Sequence, residues 1–211
     1  MESKYIILVI AIVLIIGIIY YPVGTEVEQE IAEEEEEMET EEIVDEPFQE
    51  EAEEVITETT GVQVKFDTSK GDIVIELASD MPITTANFIG LVEDGTYDGV
   101  IFHRVIPGFM IQGGDPTGTG YGDSSIPTIQ DEFTSDNAND RGTISMANRG
   151  PNTGSSQFFI NLVDNNFLDT AHPAFGVVVE GMDIVDAIAL VETGEADRPL
   201  EDVVILHASV V

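Results

Sequence analysis

Between Pro22 and Thr60 the chain places 18 acidic residues and not one Lys or Arg. "EEEEEMETEE" is its densest part. Like charges repel along such a stretch, and it has too little apolar surface to offset the chain entropy lost on folding. Residues 22–60 are therefore expected to be a solvated, disordered linker. Fully extended, they reach on the order of 130 Å. Whatever folds must lie on either side.

On the N-terminal side, "YIILVIAIVLIIGIIYY" (Tyr5–Tyr21) carries no charge. As a helix it spans about 26 Å, close to the roughly 30 Å of a bilayer's hydrocarbon core. Tyr5, Tyr20 and Tyr21 fit the interfacial zones, and Lys4 precedes the run, so the rule of positive charge inside places the remainder outside the cytoplasm. Residues 1–21 are thus expected to be a membrane anchor carrying a transmembrane helix. The rival is a signal peptide whose removal would release a secreted protein, but "YYPVGT" is a poor cleavage site.

On the C-terminal side, residues 61–211 hold six Lys and Arg against 23 acids, near −17 by themselves, within a formal charge of −35 for the whole chain. So acidic a chain is a poor partner for nucleic acid, which is held by clustered cations. With no cysteine anywhere, disulfides, thiolate nucleophiles and Cys-based zinc sites are excluded. About 150 residues suit one compact domain.

Alternation across "VQVKFDTSKGDIVIEL" predicts a β-hairpin, Val62–Phe66 with Asp72–Leu77. "MPITTANFIGLVEDG" predicts a helix starting near Pro82 and ending before Gly95, with Phe88, Leu91 and Val92 on one face. "VIFHRVI", "FMIQG", "TISMAN", "SSQFFINLV", "AFGVVVE" and "DVVILHASVV" read as strands. "GMDIVDAIALVE" reads as a second helix, facing inward through Met182, Val185, Ile188 and Ala189. Residues 113–142 read as loop. Many short strands with two helices, and no alternation of strand and helix, favour a mainly β protein: a closed antiparallel barrel.

The common chemical motifs are missing. "GTGYG" lacks dinucleotide-loop spacing, and there is no nucleophile elbow, Walker A or H-E-x-x-H sequence. "SDNANDRG" breaks the EF-hand pattern at Ala138 and reads as turn residues. His103, His172 and His207 have no metal-ligand spacing.

"FHRVIPGFMIQGGDPTGTG", "ISMANRGPNTGSSQFFI" and "FLDTAHPAFGVVVEGMDIVDAI" together resemble the cyclophilins, the peptidyl-prolyl cis–trans isomerases, in order and spacing from about residue 62 to 211. The resemblance implies an eight-stranded antiparallel barrel capped by two helices. It also implies catalysis of X–Pro rotation on proline-containing peptides and unfolded proteins, with no cofactor, by a monomeric domain. Arg104 matches the family's catalytic arginine. Phe109, Met110, Phe159 and Leu168 match its proline pocket, with His172 at the rim. Gln112 matches the group that supports the arginine and contacts substrate backbone. Ala147 and Asn148 match the edge that holds the residue before proline, and Gln157 lies across the groove. His103, next to Arg104 on the other face of a strand, is expected to serve structure through hydrogen bonding. Phe167 stands where many eukaryotic members carry Trp. Lacking the indole N–H, it implies a prokaryotic-like member with weak cyclosporin binding. The short "GDPTGTGYGDSS" loop leaves flanking-residue specificity open. With the anchor, these features imply assistance to the folding of exported proteins; the alternative is a proline-peptide binding or chaperone module whose turnover is incidental.

Overall fold

The computed structural model describes residues 61–211. The expected anchor and linker, residues 1–60, lie outside the described residues. Among those described, no helix is long and apolar enough to cross a membrane.

The chain runs β1 (Gln63–Thr68), β2 (Gly71–Leu77), α1 (Pro82–Glu93), β3 (Arg104–Ile106), β4 (Met110–Gly113), β5 (Thr143–Met146), β6 (Phe158–Asn161), β7 (Ala174–Glu180), α2 (Met182–Ala189) and β8 (Ile205–Val210). The eight strands form one sheet in the order β3-β4-β6-β5-β7-β2-β1-β8. Every pairing is antiparallel.

Period-two patterning sets the inside of the sheet. In β1, Val64, Phe66 and Thr68 are buried, and in β2, Ile73, Ile75 and Leu77. Their aromatic centre is Phe66, stacked on Phe158 at 5.5 Å, with Phe88 of α1 against Tyr97 at 5.3 Å and Phe175 at 5.1 Å. The Tyr97 hydroxyl is satisfied by Ser156 O at 3.0 Å, as a buried phenol requires. α1 buries Thr84, Phe88 and Val92, with Leu91 partly buried. α2 buries Val185, Ile188 and Ala189, with Met182 only partly covered.

The sheet curls but does not close as a continuous ladder. Its terminal strands, β3 and β8, are not paired with each other. The seam is bridged ahead of β3, where Ile101 faces Val204 and Gly99 N–H, Ile205 N–H and Phe102 N–H donate to Ile205 O, Val100 O and Val203 O at 2.8–2.9 Å. The expected closed barrel is therefore half-closed. "VIFHRVI" is divided between two neighbours: its first half meets the start of β8 and only Arg104–Ile106 joins β4. Gly108, at φ 72°, makes the tight β3–β4 turn in the left-handed region that glycine enters without penalty.

Candidate active site

One rung of the sheet carries the centre of the site. Arg104 pairs with Gln112, Gln112 with Phe159, and Phe159 with Ser145. The period-two rule turns Phe158 into the aromatic core and Phe159 to the opposite face. On that face lies a cleft of about 310 Å³ lined by Arg104, Phe109, Met110, Gln112, Ala147, Asn148, Phe159, Leu168 and His172. Residues far apart in sequence thus share one concave surface. Its base is apolar and buried: Met110 is 2% exposed and Phe159 5%. Its rim is polar, with the Arg104 side chain 42% exposed.

Gln157 does not line this cleft. It lies in the adjoining depression with Gln112, Ala147 and Asn148. Its Oε1 accepts from Gln112 Nε2 at 3.0 Å, and its Nε2 donates to Gly120 O at 3.2 Å. Gln112 thus reaches toward Gln157, whereas the ion pair of Arg104 is with Asp197, Nε to Oδ2 at 3.5 Å. Ala147 N–H donates to Gln157 O at 3.0 Å, which ties this edge to the backbone just ahead of β6. Phe167 also stands outside the cleft wall. It is 73% exposed and stacks on Phe109 at 6.0 Å with 18° between the rings.

His172 meets Phe159 edge-on at 5.4 Å. Its Nδ1 lies 3.0 Å from Met146 O. A carbonyl only accepts, so Nδ1 carries the hydrogen of that bond. The segment bearing Leu168 and His172 is held from beneath by buried amides. Asn165 Nδ2 donates to Phe109 O and to Asn161 Oδ1, both at 2.9 Å. Asn139 N–H and Nδ2 donate to Asp169 Oδ1 at 2.7 and 3.1 Å, and those bonds hold the Asp169 carboxyl below the usual carboxylate range, against the opposing pull of burial. Asn137 Nδ2 donates to Asp169 O and His172 O. These polar residues join the segments that bear Phe109 and Leu168. In the sequence Asn137 and Asn139 look like turn residues, because composition does not distinguish a buried amide from a solvated one.

The opposite rim is organised by Asp115, which is fully buried. Its Oδ1 accepts from Thr117 N–H and Oγ1, and its Oδ2 from Thr119 Oγ1, Gly120 N–H and Gly122 N–H, at 2.7–3.3 Å. Burial alone would raise its pKa; these bonds outweigh that and lower it. His103 is buried, but its Nδ1 has no hydrogen-bond partner. The structural hydrogen bond expected of this residue is thus not made at Nδ1, which is shut off from solvent, while the Cδ2–Nε2 edge of the ring faces Gly120. Burial, more than the nearby Asp115, sets its basicity, and pushes it below the ordinary imidazole value. His207, in contrast, is exposed and paired with Asp98 at 3.0 Å.

Among the described residues no cluster of His, Asp and Glu has the arrangement to hold a metal ion. The chemistry on offer is one guanidinium above an apolar slot, flanked by amides.

A family model described as cyclophilin type peptidyl-prolyl cis-trans isomerase/CLD matches residues 63–210. Peptidyl-prolyl cis-trans isomerase-like 1 of Emericella nidulans is 51% identical over 152 residues, covering 70% of this chain and 94% of the relative. The isomerase ppi1 of Schizosaccharomyces pombe is 50% identical over 149 residues, covering 69% and 96%. A putative bifunctional phosphatase/peptidyl-prolyl cis-trans isomerase of Streptococcus pyogenes is 44% identical, covering 69% of this chain and 38% of its own. Fungal and bacterial relatives thus both match, and the fungal ones at higher identity, so the prokaryotic-like character expected from Phe167 gains no support. A crystal structure of a Cryptosporidium parvum cyclophilin type isomerase superposes with a TM-score of 0.68 at 33% identity, over 71% of this chain and 97% of that one. A second structure of that protein, in the presence of the dipeptide Ala-Pro, gives 0.67 over 71% and 98%.

Proposed function

The chain belongs to the cyclophilin-type peptidyl-prolyl cis–trans isomerases, and we propose that it turns X–Pro bonds with Arg104 as the catalytic group, in the service of folding exported proteins. Rotation about the amide breaks its resonance, over a barrier of roughly 18–20 kcal/mol. No bond is made or cut, so no nucleophile is required. The catalyst has to favour the twisted amide over both planar forms. In the twisted state the prolyl nitrogen becomes pyramidal and recovers its lone pair. A permanently charged guanidinium donates to that lone pair where it could gain little from the planar amide.

The apolar slot supplies the other half. Phe109, Met110, Phe159 and Leu168 grip the pyrrolidine ring, with His172 at the rim. The acyl side then turns while the ring stays fixed. Asn148, with Ala147, receives the backbone before proline, and Gln112 and Gln157 take the polar edge of the peptide. The observation that carries this reading is the single cleft that brings Arg104 over Met110 and Phe159.

Residues 1–21 anchor the protein, residues 22–60 hold the domain away from the bilayer, and the domain acts outside the cytoplasm as a monomer on proline-containing segments of unfolded proteins. The uncharged run Tyr5–Tyr21 and the cation-free linker support this placement. Cyclosporin binds weakly, because Phe167 offers no N–H donor.

The deciding experiment is an X–Pro tetrapeptide isomerisation assay on the wild type beside Arg104→Ala. Acceleration by the wild type and its near-loss in the variant are expected. Equal acceleration by both removes the role of Arg104, and binding of proline peptides without acceleration leaves a proline-binding module.

A further inference from the structure

The ion pair of the proposed catalytic arginine is made with a residue that no motif marks. Asp197 lies on a 3₁₀ turn, Glu195–Asp197, far along the chain from Arg104. Its Oδ2 stands 3.5 Å from Arg104 Nε, with the two side chains 42% and 49% exposed. Two features make this more than a chance surface contact.

The first is backbone strain. Ala196 and Asp197 both have φ 59°. That is the left-handed region, which L-residues other than Asn and Asp rarely enter, so Ala196 is held there at a cost while Asp197 is of a type that tolerates it. The only other non-glycine residue there, among those described, is Asn152. Strained positions persist when their surroundings enforce them, and they gather at working sites.

The second is the enforcement itself. Thr193 bridges to Pro199. Gly194 N–H donates to Arg198 O at 2.8 Å, and Leu200 N–H to Glu192 O at 2.8 Å. The Arg198 guanidinium ties the turn to Gly118 O at 3.0 Å and to Asp202 at 3.2 Å. A turn pinned on both sides thus presents one carboxylate to the Nε edge of Arg104.

We infer that Asp197 is the positioning residue for Arg104 in the isomerisation, an inference that rests on the catalytic reading of that arginine. A guanidinium has five N–H donors in one plane. A carboxylate on the Nε edge fixes that plane and leaves the two η nitrogens to the prolyl amide. At 3.5 Å the pair is longer than a charge-assisted hydrogen bond of about 2.7–2.9 Å. It restrains the arginine without immobilising it and can shorten as the η nitrogens engage substrate. Gln112, whose amide is tied to Gln157, does not occupy that edge. Since exposed pairs contribute little to stability, the role is separable from folding.

The test compares wild type, Asp197→Ala, Asp197→Asn and Arg104→Ala, and the double variant of Asp197→Ala with Arg104→Ala, all in the full chain in mild detergent. Tetrapeptide kinetics and thermal midpoints are measured together. Asp197→Ala is expected to lower kcat about tenfold with KM within about twofold, the pattern of an interaction that matters in the transition state. Asp197→Asn, which keeps an acceptor oxygen, should recover to within about threefold of wild type. In the Arg104→Ala background the Asp197 change should add less than about twofold, because the two act as one unit. The Asp197→Asn midpoint should match wild type, whereas Asp197→Ala, which puts a second alanine in the left-handed region, should lower it modestly. An Asp197→Ala kcat equal to or above wild type overturns the inference, as does a full further loss without Arg104 or a parallel fall in thermal midpoint for both Asp197 variants. If Arg104→Ala itself is as active as wild type, the catalytic reading fails first and the positioning role falls with it.

Discussion

Gln112 of β4 and Gln157, which immediately precedes β6, are joined side chain to side chain at 3.0 Å. Gln157 then donates to Gly120 O at 3.2 Å. The relay connects β4 to the loop that Asp115 organises, and it fixes which amide atoms face an arriving peptide. Gln157→Leu breaks both bonds without emptying the space. Its expected effect is a KM increase of about three- to tenfold with kcat nearly unchanged, because the relay orients substrate backbone before and during rotation alike. Combining it with Gln112→Leu should give a coupling of about 1 kcal/mol in a double-mutant cycle. Strict additivity of the two single changes would show that the relay carries no function.

Phe167 stacks on Phe109 while remaining 73% exposed. It therefore forms a lip to the proline slot rather than part of its floor. Phe167→Trp keeps the stack and adds an N–H donor at that lip. Cyclosporin affinity is expected to rise at least about tenfold, the scale of one well-placed hydrogen bond. Peptide turnover should stay within about twofold, since the proposed reaction centre is at Arg104, Met110 and Phe159 inside the cleft and not at its lip. Titration calorimetry of both forms checks the first statement and the tetrapeptide assay the second. Unchanged cyclosporin affinity would remove the missing donor as the basis of the weak binding proposed above.

The parts of the molecule legible in the sequence are those set by local pattern or by a contiguous motif. The β1–β2 hairpin follows from strict alternation across a short turn, and the residues of the cleft wall from three motifs read together. Three features escape such reading for one physical reason, that contacts distant along the chain decide them. The seam between residues 99–102 and β8 depends on long-range register, so a closed barrel and a half-closed one share the same strand pattern. Asn137 and Asn139 carry the polarity of a turn but sit beneath the pocket, joined to Asp169 and His172. Asp197 meets Arg104 only because a strained turn is pinned at both ends, and neither "GEADRP" nor "FHRVI" signals its partner.

Asp115 gathers five donors from Thr117, Thr119, Gly120 and Gly122 around one buried carboxylate. Its depressed pKa fixes the sign of its contribution. The stabilisation is complete above the unfolded value of about 3.9 and is lost as pH falls toward the lower folded value. Asp115→Asn turns one acceptor edge into a donor facing backbone N–H groups. The expected cost is about 2 kcal/mol at neutral pH, with a flatter acid limb in urea midpoints below about pH 4. Gly120 O is the acceptor for Gln157, so the same variant should also raise KM. A variant as stable as wild type at neutral pH would mean that the loop holds its shape without the carboxylate.

His103 acts on stability at a higher pH and without an acid of its own. Its ring is 7% exposed and its Nδ1 has no partner. Burial disfavours the imidazolium, and the nearby Arg104 and Arg198 charges add to that, while Asp115 opposes it. The folded pKa is therefore lower than the unfolded value of about 6.5. Below that value the unfolded chain binds a proton that the folded one resists, so stability declines from about pH 6.5 downward until the folded pKa is passed. His103→Leu removes the proton site and the unpaired buried nitrogen together. Urea midpoints at about pH 7.5 should match or exceed wild type, and the decline below about pH 6.5 should disappear, with the m-value unchanged. An identical decline in the variant would assign that limb to another group.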